Sequence, residues 1–203
     1  MYIDLTLEIS SKIPPFPGDP KMESRNLFTI KKHQVNEKRV SFNSHFSTHI
    51  DAPFHMLANG KKLEEFEPDY FIGQSQVIDV RGQKLITPKL LPKKITAPII
   101  FFYTDHVANI FDKNYFKNNP VITNETAQSL VQSKIRVVGI DSFTPDNFPY
   151  EVHKILFTQN ILIVENLTNL GLLGKKCRVI IAPLKLTDAD GAPARIFAQI
   201  SNV

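Results

Sequence analysis

A chain of 203 residues with 42% hydrophobic residues and 15 phenylalanines has enough apolar side chains to form one globular domain over residues 1–203. This composition excludes an intrinsically disordered chain, and 8 glycines and 14 prolines without heptads exclude collagen-like and coiled-coil proteins. The net charge of +4 is spread over scattered basic pairs that do not alternate with aromatic residues, so no nucleic-acid partner is predicted.

Three features bear on the cellular location. The longest strongly apolar stretch, residues 97–103, is far shorter than the ~20 residues of a membrane-spanning helix. The N-terminal sequence MYIDLTLEIS lacks the basic and apolar segments of a signal peptide. Cys177 is the single cysteine and has no internal disulfide partner. These features predict no membrane partner and a cytoplasmic location.

The strand predictions begin at the N-terminus. Apolar and polar residues alternate over residues 3–9, which is typical of a strand with one buried face. A proline-rich segment, residues 14–20, follows and predicts an ordered loop. Short segments rich in Val, Ile and Phe predict further strands at residues 27–31, 40–44, 76–81, 97–104, 136–141, 161–165, 178–183 and 195–200.

Two segments have the pattern of helices. Thr123 or Asn124 is expected to cap the first, whose apolar residues share one face. The second is predicted over about residues 150–159, with Asn160 as a left-handed residue at its end. Since strands outnumber helices, we expect an α/β fold in which helices pack on one side of a mixed β-sheet.

Three of the six histidines, together with an aspartate, fall within eleven residues. These are His45, His49, Asp51 and His55. Imidazole and carboxylate are the preferred ligands of zinc and similar divalent cations. In an extended segment His49 and Asp51 point to the same side, about 6.6 Å apart along the chain. His45 and His49 would be ~13 Å apart in such a segment, so a shared ion requires a bend near residues 47–48.

The alternative interpretation is three unrelated histidines that are hydrogen-bonded or exposed. A helix through the cluster is disfavoured by the β-branched residues Thr48 and Ile50 and by Pro53, and no glutamate follows His45 as in the HExxH motif. Because crowded polar groups are costly without a compensating role, a metal or catalytic centre is the preferred interpretation.

The segment from His45 to His55 resembles the HxGTHxDxPxH signature of the cyclase-type metal-dependent hydrolases, a family that includes bacterial kynurenine formamidase and isatin hydrolase. Residues 15–19, 139–142, 163–167 and 183–195 also resemble segments of that family. The resemblance implies a swivelling β/β/α-type fold. It also implies a small-molecule substrate and a homodimer or homotetramer.

The resemblance further implies the roles of individual residues. A first divalent ion would be held by His45, His49 and Asp51, and Asp51 would bridge to a second ion. The second ion would also be held by His153 and Glu165. Zinc is the expected metal, with manganese as the alternative. In our own interpretation of the pattern, His153 lies at the flank of the second helix and Glu165 ends a buried strand, which is compatible with these roles.

The family resemblance also gives an expected reaction and a candidate substrate contact. His55 would be the acid/base residue in hydrolysis of a small amide by a metal-activated water. The familiar case is an N-formyl aryl amine such as N-formylkynurenine, which would place the enzyme in tryptophan catabolism. Phe16 stands where kynurenine formamidases carry a tryptophan, and Ser47 stands where the family has glycine. Hydrolysis of another cyclic amide, lactone or ester, or a non-catalytic metal-binding protein, remain alternatives.

Overall fold

The protein is described over residues 1–200 by a computed structural model. Its strands are β1 (Tyr2–Asp4), β2 (Glu23–Phe28), β3 (Glu37–Ser41), β4 (His49–Asp51), β5 (Ile72–Asp79), β6 (Leu85–Ile86), β7 (Ile99–Tyr103), β8 (Val121–Ile122), β9 (Val137–Ile140), β10 (Leu162–Glu165), β11 (Lys176–Pro183) and β12 (Gly191–Gln199). The helices are α1 (Ile30–His33), α2 (Asn124–Gln132) and α3 (Glu151–Phe157). Short 3-10 turns lie at Pro53–His55, Leu63–Glu65, Pro68–Tyr70, Pro88–Leu90, His106–Asn109 and Leu170–Leu172.

Seven strands form a closed sheet. They are hydrogen-bonded in the order β12–β11–β5–β7–β9–β10–β4, and β4 pairs again with β12. Strands β5, β7, β9 and β10 are parallel, whereas β4, β11 and β12 run antiparallel to their neighbours. Strand β1 pairs with the C-terminal part of β12. The predicted mixed sheet is therefore confirmed, and its closure removes most of the exposed strand edges.

The core has two parts because side chains alternate along the strands. One face of the strands fills the interior of the closed sheet, where Phe101 is fully buried. The opposite face of β7, β9 and β10 packs against α2 and α3, with Phe102 on that side. Gly139 lies opposite Phe101, and a Cβ atom there would lie 2.5 Å from the Phe101 ring. Glycine at this position therefore makes room for the phenylalanine.

Both predicted helices are confirmed. Thr123 is the N-cap of α2, and its side chain accepts a hydrogen bond from the backbone N–H of Thr126. Helix α3 spans Glu151–Phe157, and Asn160 has a φ of 55°. The two helices lie on the same side of the sheet, as expected.

Three strand predictions are wrong in part. The strand expected at residues 40–44 is β3, which spans Glu37–Ser41. The first strand ends at Asp4 instead of continuing to residue 9, because the Asp4 carboxylate accepts the backbone N–H of Thr6 and turns the chain. The segment 27–31 contains the end of β2 and the start of α1. The apolar residues of this segment are exposed and do not pack against the core.

We call residues 23–41, which comprise β2, α1 and β3, the arm. Every side chain of the arm except Thr29 is exposed. Its large apolar side chains at the surface are Leu27, Phe28, Ile30, Val35 and Val40. Among residues 1–200, no helix has the length and apolar character needed to cross a lipid bilayer.

Candidate metal centre

The first histidine motif is built around a left-handed turn at Ser47. Ser47 has a φ of 62°, and its side-chain hydroxyl donates a hydrogen bond to the Leu7 carbonyl. The turn separates His45 from β4, which carries His49 and Asp51 on the same side of the strand. The predicted bend near residues 47–48 is therefore confirmed. Glycine adopts the left-handed backbone conformation at lower energy than other residues, so serine at this position has a small conformational cost.

The turn brings the first three predicted ligands together. His45 Nδ1 lies 2.7 Å from Asp51 Oδ1, and His49 Nε2 lies 3.2 Å from the same oxygen. One donor atom from each of the three side chains lies within 4.8 Å of the others. This spacing is suitable for a single cation with bonds of about 2.0–2.2 Å.

The second group forms on the other side of Asp51. Glu165 ends β10, directly opposite His49 of β4, and His153 approaches from α3. His153 Nε2 lies 3.4 Å from Glu165 Oε1 and 3.9 Å from Asp51 Oδ2. Donor atoms of Asp51, His153 and Glu165 again lie within 4.8 Å of one another. All five residues predicted as ligands thus converge, and Asp51 belongs to both groups.

Each of the three histidines in these groups has its second nitrogen held by an acceptor. His49 Nδ1 donates to the Ser47 carbonyl at 2.9 Å, and His153 Nδ1 donates to Asp146 Oδ1 at 2.5 Å. His45 Nε2 lies 3.0 Å from Asp190 Oδ2. Such partners fix the ring orientation and leave one nitrogen facing the centre, as is usual for metal-binding histidines.

Sequence reasoning did not identify Asp146 and Asp190 as contacts of the centre. Asp146 lies seven residues before His153 in a loop rich in Pro, Asp and aromatic residues, and nothing in its local pattern predicts the contact. Asp190 immediately precedes Gly191, an Asp-Gly pair that is typical of a turn. It reaches His45 only because β12 pairs with β4, where Gly191 lies opposite Asp51.

Gly191 itself is required by the geometry of the centre. A Cβ atom at this position would lie 2.7 Å from His45 Cε1 and 2.8 Å from the Ile50 carbonyl oxygen. Any side chain would therefore displace the imidazole or the β4 strand. Because Gly191 has no side chain, the His45 ring can lie close to the backbone of β12.

The carboxylates create a strongly negative environment around the histidines. Burial lowers the pKa of His45, but Asp51 and a hydrogen bond to Asp190 outweigh burial and raise it to about 9. Burial likewise opposes the charged form of His153, yet hydrogen bonds to Asp146 and Glu165 raise its pKa to about 10. A site that stabilises a bound proton this strongly also favours a metal cation, so the donor set fits a divalent ion.

His55 differs from the other histidines of the motif. It lies on the Pro53–His55 turn with its ring 3.9 Å from the His45 ring, centroid to centroid. Its Nδ1 is 3.8 Å from Asp190 Oδ2, which is beyond hydrogen-bonding distance. Burial lowers the pKa of His55 and outweighs the attraction of Asp51. Burial thus favours the neutral form of His55, which lies outside the two groups that share Asp51 but forms a third set of donor atoms within 4.8 Å with His45 and Asp190.

The centre lies at the base of a cavity of about 890 Å³. Phe16 lines this cavity and makes an edge contact with Phe116 at 5.8 Å between ring centroids. Phe143 lies 5.0 Å from Phe116 and 6.0 Å from Phe16. Tyr115 completes this aromatic wall. Sequence reasoning found Phe16 alone, because the other three rings come from loops whose placement depends on the fold.

Comparisons with known proteins agree with this geometry. A family model described as "Putative cyclase" matches residues 3–147. The kynurenine formamidase of Bacillus anthracis is 29% identical over 206 residues, covering 96% of this chain and 95% of the relative. That of Bacillus cytotoxicus is 29% identical over 210 residues, covering 98% and 97%.

Solved structures have the same fold. A structure titled as a potential metal-dependent hydrolase with cyclase activity is 25% identical and has a TM-score of 0.82, covering 98% of this chain and 96% of its own. Isatin hydrolase A from Labrenzia aggregata has a TM-score of 0.87 at 21% identity, covering 100% and 94%. The fold expected from the sequence resemblance is confirmed.

Proposed function

Because the chain belongs to the cyclase family, we propose that it is a metal-dependent hydrolase that cleaves a small amide, with an N-formyl aryl amine such as N-formylkynurenine as its substrate. The observation that carries the proposal is the position of Asp51 between two groups of donor side chains that could hold a cation, all of them buried except the half-buried His45. The kynurenine formamidases of Bacillus, which match nearly the whole chain, support an amide as the substrate.

We assign two divalent cations, zinc by preference, to this centre. One would be held by His45, His49 and Asp51, and the other by Asp51, His153 and Glu165. These side chains offer nitrogen and carboxylate oxygen atoms, a set that suits zinc and also accepts manganese. When bound, such cations polarise a carbonyl group and lower the pKa of water from 15.7 towards about 7.

His55 is assigned as the acid/base residue. Its imidazole borders the cavity and lies against the His45 ring, with the two ring planes tilted by 35°. A neutral imidazole accepts the proton that water loses on attack and then donates it to the leaving amine nitrogen. In the net reaction water is consumed, the carbon–nitrogen bond breaks, and formate and an aryl amine are released.

The aromatic wall determines what the cavity accepts. Phe16, Phe116 and Phe143 offer ring faces and edges to a substrate arene, a contact worth about 0.5–1.5 kcal/mol per ring pair beyond area burial. Met56 and Phe46 also line the cavity, so water is displaced from around the reacting amide. An aryl amide therefore suits the cavity better than an aliphatic one.

The proposal is tested with the purified full chain. The protein is stripped with a chelator, reloaded with Zn²⁺ or Mn²⁺, and assayed with N-formylkynurenine, N-formylaniline, isatin and an aryl lactone. We expect formate release from the two N-formyl amides and a dependence on the added metal. Preferential opening of isatin or the lactone would replace the formamidase assignment with that of a cyclic-substrate hydrolase. Metal binding without turnover of any substrate would indicate a non-catalytic protein.

A further inference from the structure

Asn166 has an unusual number of contacts for a residue that is not among the expected ligands. It follows Glu165 immediately, has a left-handed φ of 54°, and is buried. Its backbone N–H donates to the Ser142 carbonyl at 2.8 Å, and its backbone carbonyl accepts from Thr48 Oγ1 at 2.6 Å. Its side-chain amide makes two more hydrogen bonds, one to the Ser47 carbonyl and one to the Tyr115 hydroxyl.

The first amide contact reaches the turn that precedes His49. Asn166 Nδ2 donates to the Ser47 carbonyl at 3.0 Å, and His49 Nδ1 donates to the same carbonyl at 2.9 Å. Ser47 is a non-glycine residue in the left-handed region, so the direction of its carbonyl depends on external contacts. Asn166 therefore orients the acceptor that in turn orients the His49 ring.

The second amide contact reaches the aromatic wall. Tyr115 is almost fully buried, and its hydroxyl donates to Asn166 Oδ1 at 2.8 Å. The Tyr115 ring lies 5.0 Å from Phe116 and 5.4 Å from Phe143. The position of this part of the wall is thus fixed relative to the strand that carries Glu165.

We propose that Asn166 is a positioning residue that couples cation binding to substrate-ring binding, through Ser47 and His49 on one side and through Tyr115 on the other. This inference rests on the proposed function for the identity of the ring and the cation. It deepens that function by naming a cavity residue that supports the candidate ligands without belonging to their groups. Removing the Asn166 amide should weaken both cation binding and binding of the substrate ring. Removing the Tyr115 hydroxyl should weaken only binding of the substrate ring.

The first test compares Asn166→Gly with Asn169→Gly. Glycine keeps the left-handed backbone accessible in both variants, so each change removes mainly the amide. Asn169 is a matched control because it also has a positive φ of 58° and donates to a main-chain carbonyl, that of Asp4 at 2.8 Å, but it is exposed and outside the cavity. Zn²⁺ affinity is measured by competition with a chromophoric chelator.

We expect Asn166→Gly to weaken Zn²⁺ binding about 10–100-fold, as loss of a partner that orients a metal-binding histidine does elsewhere. Asn169→Gly should remain within twofold of the unmodified chain. Tyr115→Phe should keep Zn²⁺ affinity within twofold and raise KM for N-formylkynurenine with little change in kcat. Equal Zn²⁺ affinity of Asn166→Gly and Asn169→Gly would overturn the proposal.

A second variant covers the case in which Asn166→Gly does not fold. Asn166→Asp keeps the volume and the acceptor for Tyr115 but replaces the donor to Ser47 with an oxygen that repels the carbonyl. The added negative charge by itself favours cations, so weaker Zn²⁺ binding would reflect the displaced turn. Unchanged or tighter binding would overturn the proposal. Because Zn²⁺ affinity is measured without substrate, failure of the unmodified chain to hydrolyse amides would reject the proposed function separately.

Discussion

The rings of His45 and His55 lie 3.9 Å apart, centroid to centroid, yet their electrostatic surroundings differ. His45 is held between Asp51 and Asp190, whereas His55 makes no hydrogen bond to either carboxylate. The difference in pKa follows, since carboxylate partners raise the pKa of His45 and burial lowers that of His55. This difference is the basis for proposing His45 as a metal ligand and His55 as the acid/base residue.

Replacing His55 with alanine should therefore reduce turnover without removing metal. We expect kcat for N-formylkynurenine to fall about 100-fold or more, the usual contribution of a positioned acid/base group. Zinc content, measured by elemental analysis, should equal that of the unmodified chain. His33→Ala is the control, because His33 lies on the exposed arm. Full activity of His55→Ala would remove His55 from the mechanism.

Asp190 should support cation binding through its contact with His45. Asp190→Ala removes the acceptor at 3.0 Å from His45 Nε2, so the ring loses its fixed orientation. We expect Zn²⁺ affinity to fall about 10-fold or more in chelator competition. Asp188→Ala is the matched control from the same loop, where the carboxylate pairs with Lys62 at the surface. Identical Zn²⁺ affinities of the two variants would show that Asp190 does not orient the ring.

At the residue scale, three of the proposed ligands could be grouped from the sequence alone. His153 and Glu165 were expected only from the family resemblance, and Asp146 and Asp190 were not identified. His45, His49 and Asp51 are close in sequence, so their spacing and the chemistry of their side chains suffice to group them. Asp146 and Asp190 are ordinary loop aspartates in the sequence. Asp146 reaches His153 because its carboxylate accepts the Val152 N–H at the start of α3, and Asp190 reaches His45 because β12 pairs with β4. Local sequence patterns do not contain this information.

At the scale of elements, the helices and the central strands followed their patterns. Thr123 has a clear capping side chain, and β7, β9 and β10 are continuous apolar segments, typical of parallel strands covered on both faces. The arm matched its strand predictions only in part, because enrichment in Val, Ile and Phe does not show where β2 ends and α1 begins. Pairing of β4 with both β10 and β12 also carries no local signal, since β4 has three residues.

That pairing makes Gly191 the most sensitive backbone position of the centre. Gly191→Ala would place a Cβ atom 2.7 Å from His45 Cε1 in an already closed sheet. We expect a loss of about 1–3 kcal/mol in the free energy of unfolding, the usual effect of overpacking, together with weaker Zn²⁺ binding. Urea unfolding and chelator competition measure the two effects.

The control for this change is Gly174→Ala. A Cβ atom at Gly174 has no neighbour within 4 Å, and its φ is outside the positive range, so alanine should change stability by no more than about 0.5 kcal/mol. If Gly191→Ala were as stable as Gly174→Ala and bound Zn²⁺ normally, the predicted clash between the alanine Cβ and the His45 ring would be wrong.

At the scale of the whole molecule, closure of the sheet brings together two segments about a hundred residues apart. The strand β4 carries the first group of ligands and pairs with β10, which ends at Glu165. The sequence resemblance predicted this convergence, but periodicity alone could not, because nothing in either segment specifies its partner strand. The closed sheet is what places both groups around Asp51.

The exposed apolar side chains of the arm form a surface that a second copy of the chain would cover. A two-stranded hairpin is marginally stable alone in water, and the arm exposes Phe28 and Ile30 while its ends lead into loops that line the cavity. We propose that a second copy of the chain covers it, consistent with the homodimer or homotetramer expected from the resemblance.

Ile30→Asp should reduce the mass measured by light scattering to that of one chain. Phe111→Asp, an exposed position outside the arm, should not. A single-chain mass for the unmodified protein would exclude this association.

Removal of metal should destabilise the whole fold, because the proposed ligands join β4, β10 and α3. A cation that binds only the folded chain adds about 2.7 kcal/mol of stability at a free concentration 100 times its Kd. For a chain of this length that corresponds to a rise of about 5–10 °C in Tm. We expect Zn²⁺ to produce this rise in thermal unfolding, a chelator to abolish it, and Asp51→Ala, which removes the shared ligand, to show no rise. Equal Zn²⁺-induced shifts in Asp51→Ala and the unmodified chain would place the cation elsewhere and contradict the central role of Asp51.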